Sequence, residues 1–316
     1  MKKLICVITV LAMLACLFTA CGAPADDGVT RVAIVQQLDH SSLEEIRLAI
    51  EATLTENGVE YEVFNGQNDA TVLNQIGAQV MSGGFDAIIP IATLAAQCMV
   101  TAAEGTDMPI IYAAISDPVE AGLHNLPTVT GTSDALNTAF ILNMMFAMDP
   151  GISCVGLLYS NSEPNSVTPI AEAKAYLEEK GVAYLEKTGN TTDEIVAAAA
   201  SLVDRCDAVF TPTDNVVMAA ESAVAELLNN AGIPHYAGAD SFVATGAFAT
   251  CGVNYTELGA YTAEMALDIL AGGEIPVCHV MDGGIITVNA DTAATLGLDY
   301  SVFASMANTV NAVTGE

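Results

Sequence analysis

The chain has 316 residues, 52% of them hydrophobic, and its 38 Asp and Glu against 8 Lys and Arg give a formal net charge of −30. This charge excludes nucleic-acid binding, which needs clustered Lys and Arg to displace counterions from phosphates. It also disfavours attachment to an anionic membrane surface through basic patches. The apolar fraction excludes a disordered chain, and the length indicates two domains.

The N-terminal segment is predicted to direct export. Residues 1–20 combine two lysines, an apolar run and small residues, which is typical of a secretory signal peptide. The segment that ends at Cys21 resembles the bacterial lipobox, which implies that Cys21 becomes the first mature residue and carries a lipid. An ordinary cleaved signal followed by a chance cysteine is the alternative. Residues 21–29 are then a flexible tether between the anchor and the fold.

Processing changes both the charge and the cysteine count. Removal of two lysines leaves 6 basic residues against 38 acidic ones, so the mature charge is 6 − 38 = −32. The cysteines that remain inside the fold are Cys98, Cys154, Cys206, Cys251 and Cys278. They lack metal-ligand spacing, and we expect them to be buried as small apolar side chains. The sequence leaves one disulfide open.

From Arg31, strand-like runs alternate with amphipathic helical patterns. A helix is predicted from Ser41, with Ser41 and Glu44 as a capping box and Gly58 beyond its end. Further helices are predicted at 71–82 and 94–104, between strands at 31–36, 59–64, 86–92 and 109–114. This β-α-β alternation predicts a parallel sheet that is covered on both faces.

The same order repeats in the second half. Strands are predicted at 154–159, 182–185, 207–211 and 234–237, with helices at 165–180, 192–204 and 215–230. Matching Gly, Asp and Pro positions in the two halves lie 121 to 125 residues apart, which favours an internal duplication over chance similarity of α/β sequences. The tail adds strands at 247–253 and 285–288 around a helix at 256–271.

These elements predict two doubly wound α/β lobes. We assign residues 30–133 and 254–284 to the first lobe and residues 134–253 and 285–316 to the second, with 136–150 as the segment that joins them. Because the tail returns to the first lobe and crosses again, the lobes are expected to share a multi-crossing hinge. Such a hinge allows the cleft between the lobes to close on a ligand.

In open parallel sheets, ligands bind beyond the carboxyl ends of the strands. The residues at these positions that we assign to ligand binding are Gln37, Thr93, Ala95, Ser116 and Asp117 in the first lobe, and Ser160, Asn161, Glu163, Asn165, Asp214, Asn215 and Asp240 in the second.

This set contains neither Lys nor Arg, so a polyanionic ligand is disfavoured. Thr93 and Ser116, with nearby backbone N–H groups, suit the carboxylate of a zwitterion. Asp214 or Asp240 suits its ammonium group. Tyr159 and Phe242 stand where they can contact a ring of the ligand. The alternative for each polar residue is that it only caps a helix.

The sequence carries no catalytic signature. It has no nucleophile elbow, phosphate-binding loop, dinucleotide fingerprint or zinc-protease motif. His40 is the one histidine at a predicted cleft position. The sequence therefore predicts a binding protein with no metal and no cofactor; an anchored hydrolase is a distant alternative.

Several strand-end segments together carry a family resemblance: Leu38–Leu43, Ile91–Gln97, Ala113–Val119, Tyr159–Ser166 and Thr211–Asn215. They resemble the ABC-transporter substrate-binding lipoproteins that include tryptophan- and tyrosine-binding proteins. The resemblance implies a type I periplasmic-binding-protein fold and a lipid-anchored receptor outside the cell membrane. It also implies delivery of a small solute, such as an amino acid, to an ABC permease and its ATPase. A nucleoside or sugar receptor of the same fold and a sensory module for a membrane kinase remain alternatives.

Overall fold

The computed structural model describes residues 28–314. The predicted signal peptide at 1–20 and the predicted lipidation site at Cys21 lie outside these residues. In the part of the chain that is described, every helix is too short or too polar to cross a membrane.

The first lobe is built on a six-stranded sheet. Its strands are β1 (Arg31–Gln36), β2 (Glu60–Asn65), β3 (Ala87–Ile91), β4 (Ile110–Tyr112), β5 (Val129–Ser133) and β11 (His279–Val280). Its helices are α1 (Ser41–Glu56), α2 (Ala70–Ser82), α3 (Thr93–Ala102) and α9 (Tyr255–Leu270). The strands lie in the order β11-β5-β4-β3-β1-β2, and all of their pairings are parallel.

The second lobe is built on a seven-stranded sheet. Its strands are β6 (Cys154–Tyr159), β7 (Ala183–Thr188), β8 (Ala208–Thr211), β9 (His235–Ala237), β10 (Ala249–Gly252), β12 (Ile285–Asn289) and β13 (Thr309–Val313). Its helices are α4 (Thr138–Met148), α5 (Val167–Lys180), α6 (Thr192–Ala200), α7 (Asn215–Asn230), α8 (Asp240–Thr245) and α10 (Ala290–Leu296), with 3-10 turns at Pro164–Ser166 and Tyr300–Ser305. The order is β13-β12-β10-β9-β8-β6-β7, and only the β10–β12 pairing is antiparallel among the described strands.

Both sheets follow one plan. The series β2-β1-β3-β4-β5 in the first lobe corresponds to β7-β6-β8-β9-β10 in the second. Within residues 28–314 the chain passes between the sheets after β5, after β10 and after β11. The predicted fold class, two α/β lobes of the type I periplasmic-binding-protein fold, is confirmed.

The central strands of the sheets, such as β1, β3 and β8, consist mostly of apolar residues because both of their faces are buried. Along β1, Val32 and Ile34 pack in the core shared with α1 and α9, whereas Ala33 and Val35 pack against α2 and α3. Burial of a side chain of this size stabilises the fold by about 1.5–3 kcal/mol. Because both faces of the sheet are apolar, helices cover both of them. The ends of the strands remain available for ligand binding.

The structure corrects two local predictions. The segment 136–150 is no linker, because it contains α4, which buries Ile141 and Met145 in the core of the second lobe. The capping box is also wrong: His40 is the N-cap of α1 and makes no side-chain cap, while the Glu44 carboxylate pairs with Arg47.

Strand β5 was missing from the prediction because its sequence includes a glycine and threonines. Gly131 has φ +153, and a side chain there would place a Cβ 2.0 Å from the carbonyl oxygen of Tyr112. Only glycine allows this approach of β5 to β4. The five cysteines of the fold are all unpaired in the described structure.

Candidate functional site

The two lobes meet around a cavity of about 30 Å³. Its lining from the first lobe and the crossover after β5 includes His40, Thr93, Ser116, Asp134 and Tyr255, and its lining from the second lobe includes Asn165, Asp214, Asn215, Met218 and Phe242. The volume suits roughly two water molecules. A solute of amino-acid size therefore enters only when the lobes are further apart.

The cavity brings together five of the residues assigned from sequence. These are Thr93, Ser116, Asn165, Asp214 and Asn215. Each follows a strand end, as the position of ligand sites in parallel sheets predicts. No Lys or Arg is found in this lining.

The other assigned residues lie around the cavity and do not line it. Gln37, Glu163 and Ser160 are buried behind the wall, and Ala95 packs in the core beside α3. Asp117 lies at the rim, where it accepts a hydrogen bond from Thr168 Oγ1 at 2.8 Å.

Asn161 and Asp240 are also outside the lining. Asn161 is exposed and donates to Thr188 Oγ1 at 2.9 Å. Asp240 is the first residue of α8, and burial, together with the charge of Glu45, raises its pKa to about 6.

Four side chains form a lobe bracket, by which we mean Gln37 and His40 from the first lobe with Glu163 and Asn215 from the second. Gln37 Nε2 donates to Glu163 Oε1 at 3.0 Å. Asn215 Nδ2 donates to Glu163 Oε2 at 2.6 Å, and its Oδ1 accepts from His40 Nε2 at 2.9 Å. Since the bonds run across the cleft twice, the bracket holds the lobes together.

Contacts nearer the rim add to this closed arrangement. The hydroxyls of Ser116 and Thr213 are 3.1 Å apart across the cleft, beside the bond from Thr168 to Asp117. Together with the lobe bracket, they define a closed state of the two lobes.

Glu163 is the carboxyl group of the bracket. Its side chain is 2% exposed, and its partners are neutral amides. Burial, followed by the charge of Asp214, raises the pKa of Glu163 to about 8. Gln37 of the first lobe covers this carboxyl group, so we expect closure of the lobes to be linked to proton uptake.

Asp214 acts as the N-cap of α7. Its Oδ1 accepts from the backbone N–H groups of Val216 and Val217, and its Oδ2 accepts from Ser160 N and Ser166 Oγ, both at 2.7 Å. Burial raises the pKa of this carboxyl group. Four protein donors already occupy its oxygens, so Asp214 shapes the cavity wall as a cap.

We expect Asp214→Ala to lower the free energy of unfolding by about 2–4 kcal/mol, because it removes a cap and leaves buried donors without an acceptor. Chemical denaturation measures the change. The matched control is Asp69→Ala, which removes the exposed N-cap of α2 and should cost about 1 kcal/mol. Equal costs for the two variants would contradict the role given to the buried bonds.

Asp134 and Tyr255 are cavity residues that the sequence reasoning missed. Asp134 accepts from Ser116 Oγ at 3.0 Å and from the Tyr255 hydroxyl at 3.1 Å, and burial raises its pKa. The available signal was position, since Asp134 directly follows β5 at the carboxyl edge of the sheet. Because β5 was not predicted, that position went unrecognised.

The two aromatic residues predicted to contact the ligand lie in different places. Phe242 lines the cavity and meets the ring of His235 edge-on, with centroids 6.4 Å apart. Tyr159 faces a neighbouring groove, where its hydroxyl donates to Glu186 at 2.9 Å. Of these two rings, only that of Phe242 can meet a ligand in the cavity.

Two α/β lobes that close on a buried polar cavity define a solute-binding protein. The chain belongs to the ABC transporter substrate-binding protein family, whose model matches residues 31–307. This family acts outside the cytoplasm and has a non-enzymatic role in binding small molecules for ABC transporters.

Individual relatives are similar over most of their length. A protein of Clostridioides difficile (strain R20291) named tyrosine-binding protein is 31% identical over 281 residues, and the match covers 84% of this chain and 81% of the relative. The ABC domain from Streptococcus pneumonia in complex with L-Trp is 28% identical, with a TM-score of 0.83 over 89% of this chain and 99% of that one.

An open structure provides a contrast. The ligand-free, open form of a substrate-binding protein with adhesive properties from Clostridium difficile is 29% identical and covers 91% of this chain and 100% of its own. Its TM-score is 0.68, against 0.83 for the L-Trp complex. The lobe arrangement here is thus more similar to the ligand-bound relative, in keeping with the bonds across the cleft.

Proposed function

We propose that the protein captures an amino acid, with an aromatic one favoured, in the interlobe cavity and delivers it to an ABC permease and its ATPase. The observation that carries this proposal is the closed cavity itself, which is polar, buried and lined without Lys or Arg. Such a lining suits a zwitterion better than a phosphate ester or another polyanion.

The zwitterion has complementary partners on the two sides of the cavity. Helix α3 begins at Thr93 with no side-chain cap from Ala92, and Gln37 Oε1 accepts from the Leu94 N–H at 2.9 Å. The other N–H groups of its first turn and the Thr93 hydroxyl suit a carboxylate. Asp134 and Asn165 supply acceptors for an ammonium group. The aromatic preference rests on the tyrosine- and L-Trp-binding relatives and on Phe242.

The proposal includes a lipid anchor on Cys21 after removal of residues 1–20, with 21–29 as the tether. It also includes two bodies that move against each other. One is formed by residues 30–133 with 254–284, and the other by residues 134–253 with 285–316. Support for the anchor comes from the sequence resemblance, and for the moving bodies from the chain crossings after β5, β10 and β11.

Calorimetric titration with the twenty amino acids tests the proposal. We expect Tyr, Trp or Phe to bind, and silence from all three would contradict the aromatic preference. If no amino acid binds and adenosine or ribose binds tightly, the proposed amino-acid receptor is replaced by a nucleoside or sugar receptor.

A matched pair of variants locates the site. Thr93→Val should lower the affinity for the amino acid by about tenfold, because one hydrogen bond to a charged group is lost. Thr101→Val changes an exposed threonine of the same helix and should leave affinity unchanged. Equal affinities for the two variants would remove Thr93 from the site.

A further inference from the structure

The cavity has an excess of hydrogen-bond acceptors. Two side-chain atoms of its lining residues, Asn165 Oδ1 and His40 Nδ1, are buried and have no hydrogen-bond partner in the described structure. A buried polar atom without a partner costs about 1–3 kcal/mol. Such atoms are therefore expected to meet a group of the ligand.

The orientation of Asn165 is set by its other amide atom. Asn165 Nδ2 donates to the carbonyl oxygen of Thr213 at 2.7 Å, which leaves Oδ1 as the atom without a partner. An amide oxygen only accepts. Asn165 therefore requires a donor.

The histidine tautomer follows from the lobe bracket. Since Asn215 Nδ2 is used by Glu163, its Oδ1 accepts, and His40 Nε2 must donate. Burial lowers the pKa of His40 and favours the neutral ring, in which Nδ1 then carries a lone pair. His40 is thus a second acceptor without a donor.

Apart from the Thr93 hydroxyl at the start of α3, the side-chain donors of the same wall are already engaged. Ser116 and Tyr255 donate to Asp134, and Asn165, Asn215 and His40 donate to protein oxygens. Asp134 brings a carboxylate to the cavity with only two hydroxyl partners and no Lys or Arg in the lining. The open requirement of the cavity is for several N–H donors and a positive charge.

We propose that a protonated primary amine, held by Asn165, His40 and Asp134, is the obligatory anchor of the ligand, and that the cavity also takes amines that lack a carboxylate. This inference rests on the proposed function only in using the same cavity. A carboxylate meets backbone N–H groups and one hydroxyl at α3, whereas the amine satisfies acceptors that nothing else in the wall can satisfy. Amine loss should therefore weaken binding far more than carboxylate loss.

Calorimetry at neutral pH on the full mature chain tests this with two matched sets. The first is L-tyrosine, tyramine and 3-(4-hydroxyphenyl)propionate; the second is L-leucine, 3-methylbutylamine and 4-methylpentanoate. In the set that binds, we expect the amine within about tenfold of the amino acid and the deaminated acid weaker by more than about 100-fold.

The outcomes separate the two proposals. Amino acids that bind while their amines do not would overturn the anchor and leave the proposed function standing. Amines that bind while the amino acids do not would overturn the proposed function and leave the anchor. Binding of the deaminated acids as tightly as the amino acids, or silence from all six compounds, would overturn the anchor.

A pair of asparagine variants supplies the residue-level test. Asn165→Leu removes the Oδ1 acceptor and should weaken amine binding by about 100-fold. Asn230→Leu alters an exposed asparagine at the end of α7, outside the cavity, and is the control. Retained amine affinity in a folded Asn165→Leu protein, checked by circular dichroism, would overturn the assignment.

Discussion

Closure of the ligand-free lobes is expected to weaken as the pH rises from about 6.5 to 9, and Glu163→Gln is expected to abolish this dependence. In the closed structure burial, followed by the charge of Asp214, raises the pKa of Glu163 from its ordinary 4.5 to about 8. Opening removes Gln37 of the first lobe from this carboxyl group, so we expect a lower pKa in the open state. The closed state therefore binds the extra proton. The stabilisation of the closed state by this proton is complete below the open-state pKa of Glu163. It is lost as the pH rises through the closed-state pKa.

The expected size is up to a tenfold change in the closed-to-open ratio per pH unit, because one pKa unit corresponds to about 1.36 kcal/mol. Asp214 beside the bracket and His40 within it are the other titratable groups near Glu163. The chosen range keeps His40 neutral, since burial lowers its pKa, and lies above the pKa of about 6 given to Asp240.

The chain has no tryptophan, so a single Val119→Trp substitution at the exposed rim offers a fluorescence report on closure. Glu186→Gln is the control, because this carboxylate shares a groove with Glu163 but is partly exposed and paired with Lys174. It should keep the pH dependence. A Glu163→Gln protein with the same pH profile as its parent would contradict the linkage.

Glu221→Ala is expected to lower the free energy of unfolding by about 3–5 kcal/mol, the cost of removing one partner from a buried pair. Glu221 Oε1 and His235 Nδ1 are 3.0 Å apart, and both side chains are fully buried. His235 Nε2 lies 2.9 Å from Thr211 Oγ1, and burial raises the pKa of Glu221. This chain of contacts fixes α7 against β8 and β9.

A double-mutant cycle measures the coupling by chemical denaturation. Glu221→Met combined with His235→Leu should cost less than the sum of the two single changes, because the pair is then replaced by apolar side chains. Glu226→Ala, at an exposed position of the same helix, should stay within about 0.5 kcal/mol of the parent. Additive single effects would show that the pair is not coupled.

Elements with uniform patterns could be predicted from sequence. The bounds of β1, β6 and α7 match the predicted 31–36, 154–159 and 215–230 because continuous burial or a long amphipathic stripe marks them directly. Strand β5 and helix α4 were missed. Strand β5 is short and interrupted by Gly131. Helix α4 is so apolar that its helical periodicity is weak.

The cavity was predictable only where it depends on strand ends within one lobe. Thr93 and Asp214 could be placed because each follows a recognisable buried strand. Asp134 could not, since its burial depends on Ser116 and on Tyr255, which lies 121 residues away. The unpartnered atom of His40 arises from its bond to Asn215 across the cleft, and that of Asn165 from its bond to Thr213, 48 residues away in the same lobe, so no local pattern encodes them.

A crystal structure of the mature protein grown with L-tyrosine tests the central claim most directly. We expect tyrosine between the lobes, with its amino nitrogen about 3 Å from Asn165 Oδ1 and close to Asp134 and with its carboxylate at the start of α3. Tyrosine bound outside the cleft, or bound in the cleft with its carboxylate at Asn165 and Asp134 and its amine turned away, would contradict it.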